Sequence, residues 1–200
     1  MIHYSLNKIS YTMKIIFKFL ILALALETLA SCTYLQQLVS PKNNALTPID
    51  FLEKAPRIDV KNFFTGDLEG FAIVQNPQEK IEGSFIIKAN GKWEENRGTV
   101  NYNYSFNGGK KDSRTWLITI NDPASYTAIG HDFIGDAQGR NLGNSSVINY
   151  SLNTLFKDKK QPVNYEDKLY LVDEKSAIII STMTQGNKIV GRAIISLKKN

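Results

Sequence analysis

From about residue 60 onward the chain predicts an all-β domain, an antiparallel barrel of about nine strands, and three observations carry that reading. Val100, Tyr102, Tyr104 and Phe106 alternate with Thr99, Asn101, Asn103 and Ser105, which places large side chains on one face of a strand and small polar ones on the other. Turn-forming groups follow one another at roughly the spacing of short antiparallel strands. No segment of the domain has a helical period long enough for the crossover that parallel strands require. Closing the sheet removes its unpaired edges. A two-sheet sandwich is the alternative that the same strands allow.

The elements follow in order. From Met13 the chain reads Lys14, Ile15, Ile16, Phe17, Lys18, then an apolar run from Phe19 to Leu26, then Glu27-Thr28-Leu29-Ala30-Ser31-Cys32. A basic start, a short apolar run and small residues before a cut make a secretory signal, whereas a spanning helix needs about 20 apolar residues. Leu29-Ala30-Ser31-Cys32 resembles a bacterial lipobox, which implies cleavage after residue 31 and acylation of Cys32. Met13 is an alternative start to Met1. Several acyl chains hold a protein stably on a membrane. Thr33 in place of an aspartate resembles the sorting pattern for the outer membrane, so the expected location is the cell envelope, lipid-anchored and facing the periplasm.

Residues 32–59 hold the acylated cysteine and then a tether with Pro41, Pro48 and Pro56 and no sustained period, with one helical turn expected near Asp50 to Lys54. The barrel domain is then 60–200. Its expected strands are Asp67–Gln75, Gly83–Ala89, Thr99–Phe106, Arg114–Asn121, Tyr126–His131, Ser145–Asn153, Tyr165–Val172, Ala177–Thr182 and Lys188–Leu197. Between them, Asn90-Gly91, Asn107-Gly108-Gly109, Asn121-Asp122-Pro123, Gly143-Asn144 and Gln185-Gly186-Asn187 read as turns.

Composition narrows the chemistry. One cysteine and two histidines in 200 residues exclude a disulfide framework and a Cys/His zinc site. Loss of the leader with Lys8, Lys14, Lys18 and Glu27 takes the formal charge from +5 to +3, a spread surplus that describes a solvated surface and not a nucleic-acid footprint. The glycines from Gly130 to Gly143 fit neither a P-loop nor a dinucleotide fingerprint and read as bends and bulges. Asp132 and Asp136 lie four apart there and read as turn caps in preference to a calcium site. His131 is the one histidine after the leader. With no Gly-x-Ser-x-Gly elbow to present a nucleophile, a hydrolase using His131 and Asp132 is a minor reading, and no catalytic residue, metal or cofactor is assigned.

The series Phe64-Thr65-Gly66-Asp67-Leu68-Glu69-Gly70-Phe71, Asn90-Gly91-Lys92-Trp93, Gly98-Thr99-Val100, Arg114-Thr115-Trp116, and Tyr126 through Asp132, Gly135, Ala137, Gly139, Gly143 and Asn144 to Tyr150 resembles domain-of-unknown-function family 3833, uncharacterised bacterial lipoproteins. The resemblance covers about Val60 to Leu197, with departures at Tyr102, Ile148 and Lys168. It implies a lipocalin-like barrel and carries no activity.

Arg114 and Trp116 share one face of their strand, and Tyr102 and Tyr104 one face of the strand before it. If both faces point inward they make an aromatic wall beside a cation. Arg114 would then need a carboxylate, carbonyls or a bound anion, because an unpaired buried charge is costly; an arginine-aromatic stack closing the barrel is the structural alternative. The expectation is a non-enzymatic lipoprotein that binds or carries a small amphipathic ligand through Tyr102, Tyr104, Arg114, Trp116 and Tyr150. The rival is a filled barrel that docks on another envelope protein.

Overall fold

The structure is a computed structural model that describes Phe51, residues 53–156 and residues 159–200. The leader, Cys32 and the tether up to residue 50 lie outside the described residues, as does residue 52. No described helix is long and apolar enough to cross a membrane.

A short helix, α1 (Val60–Phe63), precedes ten strands: β1 (Gly66–Gln75), β2 (Ile81–Glu94), β3 (Arg97–Phe106), β4 (Lys111–Asp122), β5 (Ser125–Ile129), β6 (Ala137–Leu142), β7 (Ser145–Phe156), β8 (Lys159–Leu171), β9 (Ser176–Gln185) and β10 (Lys188–Lys199). Each strand pairs antiparallel with its sequence neighbours, and β1 pairs with β10 from Leu68↔Lys199 to Gln75↔Arg192, so the sheet is a closed barrel. The barrel expected from the sequence is thus the observed fold, and the sandwich is not.

Two local expectations are corrected. There are ten strands where about nine were expected, because β6 was read only as glycine-rich bends. Its sequence, Ala-Gln-Gly-Arg-Asn-Leu, lacks large alternating side chains for a steric reason: a Cβ on Gly139 would stand 2.2 Å from the Tyr126 ring, which fills the space in front of it. Strand register puts Tyr126 opposite Gly139.

Asn90-Gly91 is not a turn. Both residues lie inside β2, and the chain reverses at Glu95 and Asn96, with Glu95 at φ 51°. A Cβ on Gly91 would fall 1.7 Å from the Phe64 carbonyl oxygen, so this glycine admits the backbone that follows α1 rather than a reversal. The Gly108-Gly109, Gly143 and Gly186 turns form where expected, all with positive φ.

Helix α1 closes one end of the barrel. Asp59 caps it, its carboxylate accepting from the Asn62 N–H at 2.9 Å. The Lys61 ammonium donates to the Glu95 carbonyl at 2.7 Å, tying the helix to the β2–β3 turn. Val60, Phe63 and Phe64 are buried with Leu68, Val100, Ile118 and Leu197, and Val100 is fully inaccessible. Each such side chain contributes about 1.5–3 kcal/mol by leaving water. Ile58 joins this core, its N–H donating to the Gly143 carbonyl at 2.7 Å.

Candidate functional site: an aromatic cavity with two acids and a cation

The interior is not filled throughout, and Val60 and Phe64 of the α1 segment are among the residues that face the open part. A cavity of about 360 Å³ lies within the barrel, a size in the range of small-molecule sites. Tyr102, Tyr104, Arg114, Trp116 and Tyr150, the five candidates read from the sequence, all line it. Their meeting follows from parity and register. Tyr102 stands opposite Arg114 and Val100 opposite Trp116 in the β3–β4 pair, so two inward faces of one hairpin form a continuous wall.

The rings interlock. Trp116 meets Tyr102 at 6.0 Å, Tyr150 at 5.1 Å and Phe133 at 5.0 Å, each edge to face. Tyr150 is stacked between Phe133 at 5.4 Å and Tyr165 at 5.0 Å. These pairs hold the cavity shape without filling it. Burial pushes the Tyr104 phenol up to about 12 and those of Tyr102 and Tyr150 well above their ordinary value, so these phenols are neutral at physiological pH.

Arg114 has found a carboxylate. Its Nη2 lies 2.8 Å from Asp132 Oδ2, with both side chains about three-quarters covered. Asp132 sits in the β5–β6 connection beside Phe133, whose backbone bridges to Leu152 of β7. The connection is therefore fastened across this part of the barrel by an ion pair and a ring. Asp132 is engaged in this pair, while His131 and Asp136 are exposed. Among the described residues no group of acids, histidines or cysteines is placed to hold a metal ion.

Sequence reasoning missed Asp167. It lines the cavity from β8, opposite Ile148 of β7 and Ser181 of β9. The Tyr150 hydroxyl donates to its Oδ2 at 2.9 Å, and Oδ1 is buried without a hydrogen bond of ordinary geometry. Burial pushes this carboxyl up to about 6, a rise that Ser181, Tyr150 and Arg114 only partly offset. The signal was available: Tyr165, Asp167, Leu169 and Leu171 share one face of their strand, so an acid stands in an apolar row. Lys168 falls on the other face, paired with Glu166 at 2.8 Å.

A closed antiparallel barrel around an aromatic cavity is a lipocalin-like barrel. The chain belongs to the family described as "Protein of unknown function (DUF3833)", whose pattern it matches over residues 39–199. No curated protein matches it in sequence. Among solved structures it is similar to the S-type phycobiliprotein lyase CPES from Guillardia theta, at TM-score 0.53 and 10% identity over 72% of this chain and 94% of that one. It is also similar to a protein of unknown function from the DUF3598 family of Nostoc punctiforme, at TM-score 0.52 and 12% identity, over 72% of this chain and half of that one. At these identities the likeness is one of fold.

Proposed function

We propose that this protein is a lipid-anchored, non-enzymatic binding protein of the bacterial cell envelope that carries a small amphipathic ligand inside its barrel. The observation that carries the reading is the cavity of about 360 Å³ walled by aromatic rings and crossed by few charges. Apolar walls supply affinity and sparse polar groups fix orientation. A filled interior, as a pure scaffold would have, offers no such volume. Fold alone carries no function, so the reading rests on the site.

The anchor is Cys32, acylated after cleavage of the leader, and Thr33 favours delivery to the outer membrane. The part of the tether that precedes Ile58, itself already seated in the core, then gives the barrel reach from that surface. A clickable palmitate analogue should label the wild type and not Cys32→Ser; label on the variant, or none on the wild type, overturns the anchor.

For carriage, Trp116 is a reporter in the wall. Titration with a medium-chain alcohol should change tryptophan fluorescence saturably, and mass spectrometry of detergent-extracted protein should find an amphiphile in stoichiometric amount. Absence of both overturns carriage. The rival has an observation of its own: Phe71 and Ile86, 65% and 55% exposed, face each other across β1 and β2 on the outer surface, where a protein partner could dock. Saturable ligand binding decides for carriage.

A further inference from the structure

We infer that the polar end of the ligand is a protonated amine, held by Asp167 against the aromatic wall, and not an acid held by Arg114. This rests on the carriage reading and specifies its ligand class.

The charges of the site carry the inference. Among the described residues the cavity wall contains three charged side chains, Asp112, Arg114 and Asp167. Arg114 is already matched by Asp132 at 2.8 Å. An incoming carboxylate would have to displace that partner, then sit among Asp112, Asp132 and Asp167. Asp112 is exposed to water, but Asp132 and Asp167 alone set two carboxylates against one guanidinium. The surplus is negative, and a bound cation removes it.

Asp167 is the place where a cation gains most. It receives one hydrogen bond of ordinary geometry, from the Tyr150 hydroxyl, although a carboxylate can accept several. It is enclosed by rings, where a charge pair is screened far less than in water. An ammonium is drawn to the face of an aromatic ring and not to its edge; Tyr150 has its faces stacked on Phe133 and Tyr165, so the face of Tyr165 turned away from Tyr150 is the one this stack leaves for a cation. An amine placed at Asp167 would donate to the free acceptor positions and leave its alkyl chain in the apolar part of the cavity, between Ile87, Ile179 and Ile195.

The groups that act on Asp167 come from every side. Arg114 of β4, Tyr150 of β7, Glu166 of its own strand and Ser181 of β9 bear directly on its carboxyl. Tyr102 and Tyr104 of β3, Tyr126 of β5 and Tyr165 of β8 sense its charge in turn. Lys110, at the exposed β3–β4 turn, lies 5.9 Å from the Phe106 ring at the wall. Of these the phenols are neutral and Arg114 is clasped, so the carboxyl remains the group that changes charge near neutral pH.

The experiment compares decylamine, decanol and decanoate as probes by tryptophan fluorescence and calorimetry, on the full chain in detergent. At pH 7.5 decylamine, protonated at this pH, should bind at least tenfold more tightly than decanol, and decanoate no more tightly than decanol. Asp167→Asn should bring decylamine to within about threefold of decanol, both measured on that variant. In wild type alone, lowering the pH from 7.5 to 4.5 should erase the amine preference and leave decanol unchanged, which keeps the test valid if the variant fails to fold. Decylamine binding no tighter than decanol, an amine preference that survives Asp167→Asn or acid pH, or decanoate binding tightest overturns the inference while carriage stands. No saturable binding of any probe overturns both.

Discussion

The two halves of the barrel interior are built from the same strands and do opposite things. At the α1 end, Val60, Phe63, Leu68, Val100 and Leu197 are almost wholly inaccessible, and among the described residues the one ionisable group in the buried core is the Tyr126 phenol, which burial pushes up to about 12. In the other half the inward residues are larger, yet Phe85, Tyr102, Tyr104, Trp116, Phe133 and Tyr150 are only partly buried. Larger side chains with more exposure mean that their inner faces look onto a void. One half therefore carries the stability, and the other holds aromatic surface and a buried acid that a well-packed core would exclude.

The sharpest way to break this division is to cut the packed half. Leu68, 1% exposed, has Leu197 and Val100 beside it in the same core. Leu68→Ala should destabilise the protein by about 3 kcal/mol, the cost of a cavity in a core that cannot collapse. Thermal unfolding followed by circular dichroism measures it. A comparable loss from Tyr104→Leu would show that the aromatic half bears load as well, and the division would fail.

Asp167 tests the same contrast in the opposite direction. Its carboxyl is raised from 3.8 to about 6 in the folded state, mainly by burial. The folded protein thus holds this proton more tightly than the unfolded chain. The sign follows: as pH rises from about 4 through 6 the folded state loses stability, and the loss, on the order of 3 kcal/mol, persists above that. Asp167→Asn, which does not titrate, should be more stable than wild type at pH 7.5, by up to that amount, and level with it near pH 4. Differential scanning calorimetry across this range decides. A variant less stable than wild type at pH 7.5 would mean that the ionised acid is a structural necessity.

What could be read from the sequence follows the same line between the halves. The strands and the shared inward face of Tyr102, Tyr104, Arg114 and Trp116 were legible because period two is unambiguous where large and small side chains alternate. The partner of Arg114 was not, since Asp132 reaches it from an irregular connection whose path no periodicity encodes. Strand β6 was invisible for a related reason: its inward Gly139 has no side chain because the Tyr126 ring occupies the space, and that ring belongs to another strand. Asn90-Gly91 misled because the glycine answers to the Phe64 backbone, a contact far away in the chain. Asp167 was legible by parity alone, through Leu169 and Leu171 on its face, but an acid in an apolar row reads as a strand error until a cavity gives it a place.

The smallest expected effect concerns the clasp between Arg114 and Asp132. Both side chains keep about a quarter of their surface in water, 25% and 21%, at an N–O distance of 2.8 Å, so the pair stands between a surface bridge and a buried one. Surface pairs are worth about 0–1 kcal/mol, and a double-mutant cycle with Arg114→Gln and Asp132→Asn should return a coupling of about 1 kcal/mol. On the outside of the barrel, Lys88 and Glu69 are 3.5 Å apart with 71% and 57% of their side-chain surfaces exposed. The same cycle there should return close to zero and vanish at high salt. If the two couplings were equal, the β5–β6 connection would not be fastened to the aromatic half by charge, and Phe133 between Trp116 and Tyr150 would hold it alone. In that event Phe133→Ala, and not Asp132→Asn, would loosen the connection. Hydrogen exchange at the amides of Phe133 and Ile134, which donate to the carbonyls of Gly130 and Ser151 at 3.2 and 2.8 Å, would separate the two cases.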